Sequence, residues 1–269
     1  MNLLAFETSS STLSVALKKG KEPVQEKTVQ GFLNHAENLM PVTDALLRKK
    51  KLSFDNLDAF LIGRGPGSFT GLRIGFTTLK GLTVIKPKKC FGALSLDLIA
   101  ENIDLPEKSQ LIICLDARRQ KIYIRLYERR KNKWQPMGKP QTLSFAETLE
   151  SFPQHVYLAG DALIRYQKDF EQQTQKQIEF LPQETWVPKA STLISLFENR
   201  DKKIKQLKKS SEFIPLYFRL SEAESLMNER LAERKSHREL DPERSEGTRI
   251  QSNNQIASPP SGARNDGIS

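Results

Sequence analysis

Glycines recur through one short stretch of the sequence, GRGPGSFTGLRIG, at positions 63, 65, 67, 71 and 75. The apolar run LDAFLIG (57–63) leads into this stretch and predicts a buried strand, and a helix is predicted over about 70–84. A glycine-rich turn between a strand and a helix is typical of α/β proteins, many of which use it to hold a phosphate. The stretch therefore raises the question of a nucleotide site.

Two phosphate-binding templates fail on spacing. The Walker A pattern requires G-x-x-x-x-G-K-[ST], but no glycine here is followed by Lys-Ser or Lys-Thr. The dinucleotide fingerprint G-x-G-x-x-G would place its third glycine where Thr70 stands. We interpret Gly65, Pro66 and Gly67 as a tight turn, with Ser68 or Thr70 capping the next helix. Weak anion binding at the helix start stays an alternative.

Gly71 and Gly75 lie four residues apart on the predicted helix, and Thr78 continues the same face. A glycine inside a helix costs about 1 kcal/mol relative to alanine, so two of them predict a compensating close approach of another backbone. That backbone belongs either to a partner protein or to another element of the same domain.

The residues before the glycine stretch predict three strands and a helix. Asn34 and Glu37 fit a capping box at the start of the helix predicted over 34–51. Pro41 either kinks this helix or lies in the first turn of a helix that starts near residue 40. The strands are predicted at 3–9 and 13–19, which form a hairpin, and at 23–29.

A second block of predicted elements follows a helix at 93–103. In each block an apolar strand ends in a carboxylate, Glu7 or Asp116, and turns into a second strand. This similarity hints at two related halves without being a sequence repeat. The second block contains strands at 111–117, 121–128 and 156–161 and helices at 162–173 and 191–199.

Charge and composition describe a basic chain with a distinct end. The net charge is +10, and residues 1–220 carry +12 because 221–269 hold nine acidic and seven basic residues. The basic runs, including RDKKIKQLKK (200–209), favour an acidic partner or nucleic acid, and a solvated basic surface is the alternative. Residues 221–269 are rich in charge, Ser, Asn and Pro, which predicts a mostly disordered tail, with a short helix near 221–235 as an exception.

Targeting signals and cysteine pairing are not expected. No segment approaches the roughly 20 apolar residues that span a bilayer, and the N-terminus lacks the basic start of a secretory signal. Cys90 and Cys114 lie in apolar surroundings and are interpreted as reduced core residues. We therefore expect a cytoplasmic protein without membrane contact.

Catalytic patterns are sparse. The three histidines form no H-x-x-x-H pair, since Leu39 stands four residues after His35, and no serine lies in a G-x-S-x-G setting. Glu7, Asp116 and Asp161 each follow an apolar strand, where acidic groups of α/β proteins often face a cleft. They either hold a metal–nucleotide complex or cap turns.

Several motifs together resemble the TsaB (YeaZ) family. They are LLAFETSSSTLSVAL, His35-Ala36-Glu37 in the first helix, GRGPGSFTGLRIG, LDARRQKIYIRLY and PLYFR (215–219), and their order and spacing match over about 2–220. The most specific pieces are LDARR and GRGPGSFTGLR. The latter contains the loop residues Gly65, Pro66, Gly67, Ser68, Thr70 and Arg73.

The resemblance implies the two-lobed α/β fold of actin, Hsp70 and sugar kinases, each lobe a mixed sheet with helices. We expect lobes at 1–104 and 105–220, with the last helix packing back on the first lobe, and the tail at 221–269. The implied function is a role in forming N6-threonylcarbamoyladenosine at position 37 of tRNAs that read ANN codons. In that pathway the family supports a catalytic TsaD-like subunit together with a TsaE-like ATPase, and tRNA is met only through the complex.

The departures from catalytic and nucleotide-binding members favour a partner role without cofactor, metal or catalytic residues. The metal motif of TsaD is a histidine pair, where this chain has His35 and Leu39. Glu7 replaces the usual aspartate, and Gly160 is the only glycine of AGDAL (159–163). Glu7, Asp116, Gly160 and Asp161 are therefore expected to form at most a vestigial nucleotide cleft. The peptidase M22 label of the family has no support from these residues.

The resemblance also implies a protein interface, which homodimers use when the TsaD-like partner is absent. It lies on the first long helix and on the glycine-bearing helix. The expected residues are Leu39, Met40, Thr43, Leu46, Leu47, Gly71, Ile74, Gly75 and Thr78.

Two other functions compete with this prediction. One is an ATP-binding small-molecule kinase or ATPase of the same superfold that uses Glu7 and Asp116. The other is a stand-alone RNA-binding protein based on the charge of +12 in residues 1–220.

Overall fold

The computed structural model describes residues 1–31, 34–85, 87–173, 175–208 and 212–216. The predicted tail at 221–269 lies outside these residues. Two mixed β-sheets with flanking helices make up the described part, as predicted. The strands are β1 (Leu3–Glu7), β2 (Thr12–Lys18), β3 (Gln25–Gln30), β4 (Ala59–Gly63), β5 (Lys89–Ala93), β6 (Gln110–Asp116), β7 (Lys121–Arg130), β8 (Lys133–Pro136), β9 (Gln141–Ser144), β10 (His155–Ala159), β11 (Gln177–Phe180) and β12 (Lys205–Leu207).

Helices cover both faces of the first sheet. The helices are α1 (His35–Lys49), α2 (Phe69–Ile85), α3 (Ser95–Glu101), α4 (Phe145–Glu150), α5 (Leu163–Gln173) and α6 (Ala190–Glu198). Successive side chains of β1 point to opposite faces, so that Leu4 and Phe6 pack with residues of α1 and α2, whereas Leu3 and Ala5 pack with α6.

The two sheets share one topology. The strand orders are β12-β5-β4-β1-β2-β3 and β11-β10-β6-β7-β8, and β9 pairs with β7. In each sheet the first strand forms an antiparallel hairpin with the second (β1–β2 and β6–β7), and a third strand continues antiparallel. Two parallel strands extend the other side, β4 and β5 in one sheet and β10 and β11 in the other. The predicted similarity of the two halves is therefore present in the strand order.

The start of α1 differs from the prediction. The helix begins at His35, well before residue 40, and contains Pro41. Asn34 occupies the N-cap position but makes no capping hydrogen bond, so the predicted capping box is wrong. The reason is its backbone, which is helical (φ −94°, ψ −3°) where a capping side chain needs an extended conformation. Its Nδ2 instead donates to the carbonyl oxygen of Gln30 at 3.3 Å.

The later part of the chain returns to the first sheet. Helix α6 packs on β1, β2 and β4, and β12 pairs antiparallel with β5. Division of the chain into lobes at 1–104 and 105–220 stays a prediction.

Both cysteines are buried and unpaired, in agreement with the sequence. Burial raises the pKa of the Cys90 thiol to about 12 and also raises the pKa of Cys114. Within the described ranges, no helix has the length and apolar character needed to cross a bilayer.

Candidate functional site

The glycine-rich loop between β4 and α2 packs onto the β1–β2 turn. Gly65 (φ +84°) and Gly67 (φ +154°) adopt backbone conformations that other residues rarely take. A Cβ atom at Gly67 would also overlap the carbonyl group of Ser9. The N–H of Ser68 donates to that same carbonyl oxygen at 2.6 Å, and Ser68 Oγ accepts from the N–H of Gly71 at 3.2 Å. Ser68 thus caps α2, and one loop N–H that could face an anion is already used.

The remaining loop residues lie around this turn. Pro66 is buried, and its peptide bond with Gly65 is cis. Thr70 is exposed in the first turn of α2. Arg73 is also exposed, and its guanidinium lies 3.9 Å from the ring centroid of Phe69.

Glu7 is fully buried beneath the loop. Its Oε1 accepts from the N–H of Ser9 at 2.6 Å, and its Oε2 accepts from Ser95 Oγ–H at 3.0 Å. Gly63 leaves the space for this carboxylate, because a Cβ atom there would overlap it. Burial raises the pKa of Glu7, and the hydrogen bonds from Ser9 and Ser95 oppose that shift. Glu7 therefore joins β1 to the start of α3 and does not face an open cleft.

The backbone that closely approaches Gly71 and Gly75 belongs to the chain itself. A Cβ atom at Gly71 would overlap the carbonyl oxygen of Thr8, and one at Gly75 would lie 2.5 Å from Thr8 Oγ1. Both glycines are buried. The expectation that they offer bare backbone to a partner protein is therefore corrected: they let α2 pack against the β1–β2 turn.

Most of the predicted interface on α1 also lies inside the chain. Leu39, Leu46 and Leu47 belong to the core between α1 and the first sheet. Thr43 is buried, and its Oγ1 donates to the carbonyl oxygen of Leu39 at 2.7 Å. These four side chains stabilise the position of α1 and are not on the surface of the single chain.

Three of the nine predicted interface residues reach the surface. Met40 is 38% exposed, and Ile74 and Thr78 are half-buried on the neighbouring helix α2. Val84 (82% exposed) and Ile85 (73% exposed) add apolar area in the last turn of α2. We call these five residues the α1–α2 surface. Exposed apolar side chains grouped on adjacent helices are typical of protein contacts.

His35 holds the start of α1 in place. Its ring is fully buried, with Nδ1 3.2 Å from the carbonyl oxygen of Gly31 and Nε2 3.1 Å from that of Ser10. One helical turn later stands Leu39, in the core. In the part of the chain that the structure describes, no group of three or more His, Cys, Asp or Glu side chains is arranged to hold a metal ion.

The structure brings Asp116, Gly160 and Asp161 together at the ends of β6 and β10. Asp161 Oδ1 accepts from the N–H of Asp116 at 2.8 Å. Gly160 (φ +121°) lies so close to Cys114 that a Cβ atom would overlap its carbonyl oxygen. Burial raises the pKa of Asp161, the hydrogen bond from the Asp116 N–H opposes this shift, and the Asp116 carboxylate adds to it. Glu7 is held by a different set of residues and does not complete this group.

Sequence reasoning missed three residues that shape the loop. Thr8 fills the space in front of the helix glycines, and Ser9 and Ser95 bind Glu7. The signal for Thr8 and Ser9 was present as small polar residues directly after β1. Ser95 follows a strand too short to be predicted.

Comparison with known proteins gives a consistent result. The family model described as "TsaD: tRNA N6-adenosine threonylcarbamoyltransferase" matches residues 31–235. The protein named tRNA threonylcarbamoyladenosine biosynthesis protein TsaB from Bacillus subtilis is 29% identical over 150 residues, which is 56% of this chain and 65% of that protein. The protein of the same name from Haemophilus influenzae is 30% identical over 133 residues, which is 49% of this chain and 56% of that protein. The matched segments thus span less than two thirds of these relatives.

Solved structures agree on the fold. YeaZ from Pseudomonas aeruginosa superposes with a TM-score of 0.66 at 22% identity, over 80% of this chain and 99% of that chain. A protein described as similar to peptidase YEAZ from Pseudomonas aeruginosa gives a TM-score of 0.68, over 81% and 99%. The chain belongs to the TsaD family of tRNA N6-adenosine threonylcarbamoyltransferases.

Proposed function

We propose that the chain is a non-catalytic subunit that binds a TsaD-like catalytic subunit and supports formation of N6-threonylcarbamoyladenosine at position 37 of tRNAs that read ANN codons. A TsaE-like ATPase completes the complex, tRNA is contacted through the complex, and the isolated chain forms a homodimer. The family match over 31–235 and the names of the TsaB relatives support this proposal.

The observation that carries the proposal is the environment of His35. A metal-binding subunit of this family would need an accessible histidine pair on α1, as the resemblance implies. Here the His35 ring faces two backbone carbonyl oxygens inside the protein, and Leu39 occupies the next turn within the core. These residues favour a supporting subunit over the transferase itself.

The α1–α2 surface is the proposed site of partner binding. Met40, Ile74 and Thr78 remain from the predicted interface, and Val84 and Ile85 extend it. Burial of apolar area supplies about 25 cal/mol per Å² before the costs of association, so a few such side chains contribute substantially to affinity.

Charge substitutions on this surface test the proposal. Met40→Asp combined with Thr78→Arg places charges at exposed and half-buried positions and spares the core. We expect at least a tenfold loss of affinity for the TsaD-like subunit of the same organism, measured by size-exclusion chromatography of co-expressed proteins and by calorimetry.

Ile164→Asp is the matched control, because Ile164 is 71% exposed on α5, outside the α1–α2 surface. It should bind the partner like the unmodified chain. Unimpaired binding by the Met40 and Thr78 variant would refute the interface. Absence of binding by the unmodified chain would refute the subunit role.

The second candidate function is an ATP-binding kinase or ATPase. Asp116 and Asp161 favour it, because the Asp161 carboxylate binds the Asp116 N–H, the two carboxylates interact electrostatically, and both residues lie at strand ends where such groups bind metal–nucleotide complexes. The burial of Glu7 weighs against it. Calorimetric titration of the isolated chain with MgATP decides: binding abolished by Asp161→Asn would establish this candidate, and lack of binding would dismiss it.

A further inference from the structure

One cleft in the described part of the molecule is strongly basic. This basic cleft has a volume of about 620 Å³ and lies between β5 and the edge strand β12 of the first sheet and the edge strand β8 of the second. Seven cationic side chains and two carboxylates line it: Arg64, Arg125, Lys133, Arg200, Lys202, Lys203 and Lys205, with Asp97 and Asp201. Four of the cations come from the run at 200–209 that the sequence singled out.

Both carboxylates are already engaged. Asp97 Oδ1 accepts from Arg125 Nη1 at 2.8 Å and from the Tyr127 hydroxyl at 2.7 Å. Asp201 pairs with Lys203 Nζ at 3.4 Å, and Lys203 also contacts Glu101 at 3.1 Å. Within the described ranges, Lys133, Arg200, Lys202 and Lys205 form no ion pair. Their mutual repulsion therefore lacks compensation from the protein.

Arg64 forms the inner wall of the basic cleft. Its side chain lies across Gly92, where a Cβ atom would be 2.7 Å from Arg64 Cγ and Cδ. Its backbone is fixed by hydrogen bonds to Ala93 at 2.8 Å and from Leu216 at 2.9 Å. The Nε of Arg64 is buried and has no hydrogen-bond partner among the described residues. Burial lowers the pKa of the Arg64 guanidinium, and the Glu212 carboxylate opposes this shift.

We propose that the basic cleft binds a phosphate group, carried either by a small molecule or by an RNA backbone. A phosphate offers several acceptor oxygens and up to two negative charges, which matches the unpartnered Arg64 Nε–H and the lysines without ion pairs that line the same cleft. The cleft is lined by other residues than the α1–α2 surface, so the inference does not depend on the subunit role.

Binding of two probes to the isolated full chain tests this inference. Pyrophosphate is titrated by calorimetry, and a fluorescent single-stranded RNA of about 20 nucleotides by anisotropy, both at about 50 mM salt, where screening is weak. Two variants alter the cleft: Arg64→Ala, and Lys202→Glu with Lys205→Glu. We expect each to weaken binding by about tenfold or more.

Arg165→Glu with Lys168→Glu is the matched control, since it makes the same charge change at exposed positions of α5. Its affinity should stay within about twofold of the unmodified chain. Arg64→Lys keeps the charge but loses the planar donor, so its affinity should lie between that of the control variant and that of Arg64→Ala. Thermal unfolding of every variant verifies that it is folded.

Cleft-dependent binding of pyrophosphate identifies a small phosphate-bearing ligand, and cleft-dependent binding of RNA without pyrophosphate binding identifies an RNA backbone. Either result supports the phosphate site. Failure of both probes to bind the unmodified chain would overturn it. Equal losses in the cleft and control variants would also overturn it, because charge alone would then explain the binding.

Discussion

The first strands of the two sheets, β1 and β6, each end in a carboxylate that accepts the same turn hydrogen bond. One carboxylate is buried and the other is partly exposed. Glu7 accepts from the N–H of Ser9 at 2.6 Å, and Asp116 accepts from the N–H of Arg118 at 2.7 Å. The second oxygen of Glu7 binds Ser95 inside the protein. That of Asp116 binds the Arg118 guanidinium at 3.2 Å, and the Asp116 side chain is 18% exposed. The shared strand order thus gives the same hydrogen bond in both turns, whereas the residues that cover each turn determine whether its carboxylate is accessible.

The covering of Glu7 is made possible by glycines. Gly63 leaves room for the carboxylate, Gly67 contacts Ser9, and Gly71 and Gly75 contact Thr8. The end of β1 is therefore filled by the chain itself, whereas the Asp116 and Asp161 end stays partly accessible. The end of β1 therefore has a structural role, because its carboxylate and the residues after it hold the glycine-rich loop and α2 in place.

The largest expected effect comes from separating α2 from the β1–β2 turn. Gly71→Ala puts a methyl group onto the Thr8 carbonyl, and we expect a loss of about 3 kcal/mol or more in the free energy of unfolding. Gly81→Ala on the same helix faces open space, and we expect it to stabilise by up to about 1 kcal/mol. Urea unfolding measures both. Equal effects would show that α2 does not depend on close contact with Thr8.

Removing the two carboxylates should have unequal effects. Glu7→Ala leaves the Ser9 N–H and the Ser95 O–H buried without their acceptor and opens a cavity, which we expect to cost about 2–4 kcal/mol. Asp116→Ala removes a partly exposed group whose donors can reach water, so we expect a cost below about 1 kcal/mol. Chemical denaturation at neutral pH compares them, and a reversed order would contradict the burial argument.

The smallest expected effect is the pH dependence that Glu7 gives to the stability of the fold. Burial raises its pKa in the folded state above the ordinary value of 4.5, so the folded chain holds this proton more tightly than the unfolded chain. Stability relative to Glu7→Gln should therefore be greatest below pH 4.5 and fall as the pH rises through the raised pKa. The difference in the free energy of unfolding between the two proteins is measured from about pH 4 to 8, because the contributions of other titrating groups cancel in that difference. A difference that grows with pH would mean that the pKa is lowered.

Much of the fold could be predicted from periodicity. The hairpin β1–β2, the strand β4 and the helices α2 and α5 follow apolar patterns long enough to be distinctive. The sequence does not predict the short strands β5, β8, β9, β11 and β12, because three to five residues carry too little pattern and their pairing depends on distant parts of the chain.

The glycines show how much of the candidate site the sequence can predict. Their spacing predicted a close backbone contact, and Thr8 provides it. Sequence alone could not tell an internal neighbour from a partner, because the same geometry serves both. In the same way, the apolar positions of α1 were recognised, but whether each side chain faces the sheet or the solvent depends on how the helix is rotated on the core.

Reconstituted threonylcarbamoyl transfer tests the central claim most directly. The purified chain, the TsaD-like subunit and the TsaE-like ATPase are tested singly, in all pairs and all together with tRNA and threonylcarbamoyl-adenylate, and N6-threonylcarbamoyladenosine is measured by mass spectrometry of the digested tRNA. We predict no product from this chain alone and full product only when it joins the TsaD-like subunit. Product formed by this chain alone, or an unchanged yield when it is omitted, would contradict the account.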